Sequence, residues 1–122
     1  MTLNLNGRVF QPVNNSDGGR VDGNTRFHFS QSGQNITAHY SGPNVFDGHI
    51  IGQMLGEADM KLLYHSRALT GELEAGEASV DIFYDDDGNL RLAMSWAWLN
   101  GSKKTGTSNY IEVSPYKHER TL

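Results

Sequence analysis

Apolar side chains recur at every second position along most of this chain. In Asn89–Leu99, Leu90, Leu92, Met94, Trp96 and Trp98 share one face, and Arg91, Ala93, Ser95 and Ala97 share the other. Thr25–Gln31 groups Phe27 with Phe29, and Ile36–Tyr40 groups Ile36, Ala38 and Tyr40. Asp59–His65 groups Met60, Leu62 and Tyr64, while Ala78–Tyr84 groups Ala78, Val80, Ile82 and Tyr84. Successive side chains of a strand point to opposite sides, so a period of two marks half-buried strands. Arg8–Val13, His49–Leu55 and Thr107–Val113 complete an expected set of eight, with no helix longer than a turn.

Turn-forming residues separate the runs: Ser32-Gly33-Gln34-Asn35, Gly56-Glu57, Asp86-Asp87-Gly88 and Asn100-Gly101. Short connections imply adjacent antiparallel strands. The expected registers place Phe29 opposite Ala38, His28 opposite His39 and Tyr84 opposite Leu90. They also place Trp96 opposite Asn109, with Met94 opposite Ile111 and Leu92 opposite Val113. Eight strands with one apolar face must hide it in a closed barrel or a sandwich. Sequential hairpins favour an eight-stranded antiparallel up-and-down barrel, because closure removes the sheet edges; a β-sandwich is the alternative. The barrel is expected over residues 5–113 as a single domain, with Asn14–Asn24 as a loop and 114–122 as a loosely ordered tail.

Composition narrows the function classes. The 122 residues include no cysteine, which excludes disulfides, thiolate metal sites and a thiol nucleophile. Ten Lys+Arg against fourteen Asp+Glu, a net charge of −4, argue against a nucleic-acid partner. No apolar run approaches the roughly 18 residues of a membrane helix, and no signal peptide is evident. The expectation is a soluble cytoplasmic protein with no membrane partner. The Asn-x-Ser/Thr matches at Asn14, Asn35 and Asn100 are then by-products of turn composition.

Several motifs resolve into ordinary structure. Gly101–Ser108 approaches a phosphate-binding loop, but Thr107 stands where that loop needs Lys, and the context is a hairpin. Asp85-Asp86-Asp87-Gly88-Asn89 approaches a calcium loop, but Phe83 and Met94 occupy required ligand positions. It reads as an acidic turn. His28 faces His39, and His49 faces His65 if the intervening loop is short; such pairs could hold a divalent ion or titrate. Because His28 and His39 lie on the polar face, no metal site is expected. No cofactor is expected, and no catalytic triad or helical metal-binding motif is present.

The landmarks F-H-F, A-H-Y-S-G at Ala38–Gly42, G-H-I-I-G at Gly48–Gly52, Tyr64-His65, Gly71-Glu72, D-G-N-L-R-L at Asp87–Leu92, W-A-W at Trp96–Trp98 and the later Glu112 form a pattern. Together they resemble a family of small bacterial β-barrel proteins often labelled N-acetylglutamate synthase. The resemblance spans roughly Leu5 to Val113 and implies a single barrel of the lipocalin/avidin type. The labelled activity is not expected, since no glycine-rich loop opens a helix to hold the pyrophosphate of acetyl-CoA.

Tyr40, Tyr64, Tyr84, Trp96, Trp98 and Asn109 are the candidate ligand-binding residues. All six are expected to face inward. Buried Tyr and Trp tips need hydrogen-bond partners, which a ligand or ordered water would provide; the expected ligand is a small apolar or aromatic molecule. The first functional reading is a small-molecule-binding barrel. The alternative is a small enzyme of isomerase or cyclase type, with His49 and Tyr64 as acid–base candidates. A third option is assembly, such as a homodimer through a face carrying Leu63, Phe83 or Tyr110.

Overall fold

The computed structural model describes residues 3–15, 23–100 and 104–113. Eight strands follow one another: β1 (Val9–Asn15), β2 (Arg26–Ser32), β3 (Asn35–Gly42), β4 (Val45–Met54), β5 (Asp59–Ala68), β6 (Leu73–Tyr84), β7 (Leu90–Trp98) and β8 (Thr105–Glu112). Each pairs antiparallel with the next, and β8 returns to β1, so the sheet closes into a barrel. A single closed sheet excludes the sandwich. Among the described residues no helix is long and apolar enough to cross a membrane. The expected tail, and most of the expected loop after β1, lie outside the described residues.

Alternation produces the inside and the outside. In β3, Ile36, Ala38 and Tyr40 are buried while Asn35, Thr37 and His39 are exposed. β7 buries Leu90, Leu92, Met94, Trp96 and Trp98. A one-residue slip would turn such a set into water, which pins the register. The expected pairings of Phe29 with Ala38, His28 with His39 and Tyr84 with Leu90 are present.

Three local expectations are corrected. β4 starts at Val45, four residues before the expected start at His49, and its register shifts between Val45 and Asp47. The shift places Phe46 out of phase and hides the alternation. β6 starts at Leu73, five residues before the expected start at Ala78, so Glu74 and Glu77 lie in the strand. β8 pairs with β7 in another register: Trp96 faces Gly106, and Leu92 faces Tyr110. The difference is an odd number of residues, so the faces of β8 exchange.

The turns follow their chemistry. Gly33 and Gly88 adopt φ of 60° and 81°, which favour glycine. The Asp85 carboxylate accepts backbone N–H bonds from Asn89 at 2.9 Å and Asp87 at 3.0 Å, and pairs with Arg91 at 3.1 Å. These contacts, the Asn89 N–H first, hold its carboxyl below the usual carboxylate range. Arg91 also donates from Nε to the Tyr110 carbonyl at 3.2 Å, so it ties the turn to β8.

The two barrel ends differ. Where β1 starts and β2 ends, Leu5 is fully buried in the core, and its N–H is held by Gln31 Oε1 at 2.8 Å. Beside it Arg8 Nη1 donates to both Glu112 oxygens at 2.9 Å, and Arg8 Nε donates to the Asn4 carbonyl. This pair ties the first strand region to the last. Glu112→Ala is expected to lower stability by up to about 1 kcal/mol, less at high salt, in urea unfolding. An equal loss at low and high salt would show that packing, not charge, is responsible.

Candidate functional site

At the opposite end the lumen becomes polar and aromatic. The buried polar residues Thr25, Ser66 and Ser108 all lie in this half. Tyr40 stacks on Phe27 at 4.6 Å, and Phe27 meets the edge of Tyr110 at 5.1 Å. Tyr64 meets Trp98 at 5.3 Å, and Trp98 meets Trp96 at 6.2 Å, both edge to face. Such rings supply large apolar area with hydrogen-bonding tips.

The hydroxyls are organised in pairs. Tyr40 bonds Ser66. Ser108 Oγ donates to the Tyr110 hydroxyl at 2.9 Å. Tyr64 donates to the Ala97 carbonyl at 3.3 Å. Burial pushes all three tyrosines up, Tyr110 to about 12. At neutral pH each is therefore an uncharged donor and acceptor, not a base.

Two glycines make room for the rings. Gly48 lies opposite Tyr40, and Gly76 lies opposite Tyr64. A Cβ on either would sit 2.3 Å from a ring carbon. The tyrosines thus lie flat against neighbouring backbone, close enough that only glycine fits.

This architecture has a counterpart among known proteins: the family model described as avidin-like protein matches residues 3–113. The chain belongs to the avidin-like family. Membership supports a small-molecule-binding barrel. No match was found among curated proteins or among solved structures.

The avidin-like barrel gathers four of the six candidates, Tyr40, Tyr64, Trp96 and Trp98, at one end. Tyr84 and Asn109 are corrections. Tyr84 has the inward parity but is 56% exposed, because β6 ends there and the Asp85 turn carries it beyond the lumen. Asn109 lies opposite Ala93 on the outer face, a result of the changed β8 register. The same change buries Tyr110, which was expected on an outer face with Leu63 and Phe83; only those two are exposed. His49 and Tyr64, the two acid–base candidates, lie on opposite faces of the sheet. His49 is exposed on the outer face, whereas Tyr64 packs against Trp98 on the inner.

Ser66, Ser108, Tyr110, Gly48 and Gly76 were missed. Ser66 was legible, since it continues the Met60, Leu62, Tyr64 face by one step. Gly48 and Gly76 gave no local signal, because their role depends on a ring from another strand.

Proposed function

We propose that this barrel binds one small molecule at the end lined by Tyr40, Tyr64, Ser66, Trp98, Ser108 and Tyr110. The ligand has an apolar or aromatic body and a polar head. The observation that carries the reading is the gathering of buried hydroxyls in one half of an otherwise apolar lumen. A core built only for stability favours apolar residues there, since an unsatisfied buried hydroxyl costs about 1–3 kcal/mol. The paired hydroxyls can exchange one partner for a ligand group, while Trp96, Trp98 and Tyr64 offer ring faces and edges. Avidin-like barrels bind small molecules such as biotin, so biotin is the first defined probe.

The test is a titration of the full chain with biotin and a panel of ring-bearing compounds, read by tryptophan fluorescence and native mass spectrometry. A saturable one-to-one complex is expected. Tyr40→Phe and Ser66→Ala should each weaken it about tenfold, the equivalent of ~1.4 kcal/mol. The reading fails if no compound binds, or if both variants bind with unchanged affinity.

A further inference from the structure

The outer face carries an arrangement that the lumen does not explain. His28, His39, His49 and His65 stand at one register position on β2, β3, β4 and β5: His28 opposite His39, His39 opposite His49, and His49 opposite His65. All four are exposed. The His28 and His39 rings stack at 4.9 Å with 8° between planes, and the His49 and His65 rings at 5.5 Å with 29°. The four imidazoles therefore stand in one rung across four strands, as two stacked pairs.

We propose that this rung binds a divalent transition-metal ion, of the Zn²⁺, Ni²⁺ or Cu²⁺ class, between neighbouring imidazoles. Two nitrogens bound at about 2.0–2.1 Å to a tetrahedral ion lie roughly 3.3 Å apart. Rings already 4.9 and 5.5 Å apart reach that separation by tilting toward each other, and exposed side chains change rotamer on a picosecond-to-nanosecond scale. The backbone has nothing to rearrange, since cross-strand pairing fixes where both side chains start. No three such donors among the described residues converge on one point. Each ion thus takes two imidazoles, with water completing its shell. Imidazole suits these ions, and the affinity order should place Cu²⁺ above Ni²⁺ and Zn²⁺, while Mg²⁺ and Ca²⁺ prefer oxygen ligands.

The β4–β5 end of the rung is the favoured position. Asp47 Oδ2 lies 4.0 Å from His49 Nε2. Asp47 Oδ1 makes no hydrogen bond; the nearest cation, Arg67 Nε, is 3.7 Å away. Asp47, His49 and His65 line a groove of about 300 Å³ with Arg67 and Glu74. A carboxylate beside the pair adds negative charge near the ion without joining its shell. Arg67 works against it, so Asp47→Asn should weaken binding only a few-fold.

The experiment is calorimetric titration of the untagged full chain with Zn²⁺, Ni²⁺ and Cu²⁺, with Mg²⁺ for comparison. Histidine NMR resonances are followed as paramagnetic Cu²⁺ is added. His118 is kept in every variant. The wild type should bind, with the His49 and His65 signals broadening first. His49→Gln with His65→Gln should cut affinity at least tenfold, and replacing all four with Gln should abolish binding at the rung. Circular dichroism should stay unchanged, because the four side chains are outside the core. Unchanged affinity in the four-fold variant, broadening confined to His118, or Mg²⁺ binding as tightly as Zn²⁺ would overturn the proposal. None of these outcomes bears on ligand binding in the lumen.

Discussion

At pH 11 the barrel is expected to be about 3 kcal/mol less stable than at pH 9, chiefly through Tyr40 and Tyr110, with a smaller share from the partly exposed Tyr64. Tyr40, Tyr64 and Tyr110 are each raised above the ordinary value of 10.0, Tyr110 to about 12, chiefly because burial opposes the phenolate. The unfolded chain releases these protons near pH 10, whereas the folded chain holds them. Their contribution is therefore fully present below pH 10. It falls as pH rises through the window from 10 to about 12 for Tyr110, and to higher pH for the other two. Each of the two deeply buried groups, Tyr40 and Tyr110, contributes about 1.4 kcal/mol per pH unit within its window, and Tyr64 less because solvent reaches it. Urea unfolding at pH 8, 9, 10 and 11, followed alongside phenolate absorbance, measures this. Tyr110→Phe should flatten the slope by up to about half. Equal stability at pH 9 and 11 would contradict the burial of these hydroxyls.

Gly48→Ala should destabilise the fold by about 3 kcal/mol. The new Cβ would lie 2.3–2.6 Å from three ring carbons of Tyr40. That ring cannot retreat: Phe27 stacks on it at 4.6 Å, it is 5% exposed, and its hydroxyl is held by Ser66. Overpacking of a tight core costs about 1–3 kcal/mol, and the broken hydroxyl pair adds to it. Gly76→Ala meets Tyr64 at a similar distance. Tyr64 is only partly buried, and one 3.3 Å bond to Ala97 secures its hydroxyl, so its ring can swing aside. About 1 kcal/mol is expected there. A double-mutant cycle decides the cause: in a Tyr40→Ala background Gly48→Ala should cost little. If it costs as much as in the wild type, the strain lies in the backbone and not in the ring.

The fold was legible because its main device is local. The β7 segment Leu90–Trp98 alternates without a break, and β2, β3 and β5 do so nearly as well. The site was legible only in part. Trp96 and Trp98 share the parity of Leu90, so their inward direction could be read directly. β8 could not be read this way, since Tyr110 and Ile111 are adjacent apolar residues of opposite parity. Only pairing with β7 decides that Tyr110 goes in and Asn109 stays out. Tyr84 shows a second limit, because alternation assigns a face but does not say where the barrel ends.

The seam between β1 and β8 has a kinetic consequence. Phe10 pairs with Glu112, and the Arg8–Glu112 contact spans 104 positions of sequence. Among the described residues the β1–β2 ladder, by contrast, registers Val9 with His28 and Phe10 with Phe27, and Gly7 and Arg8 add backbone bonds to Phe29. Until Glu112 has been synthesised, the first strand lacks its ladder with β8, which runs from Phe10 to Asn15. Joining ends so far apart carries a large loop-closure entropy before any contact offsets it. The hairpins from β2 to β7 can zip in sequence as they emerge, and sealing the cylinder is then the slow last act of folding.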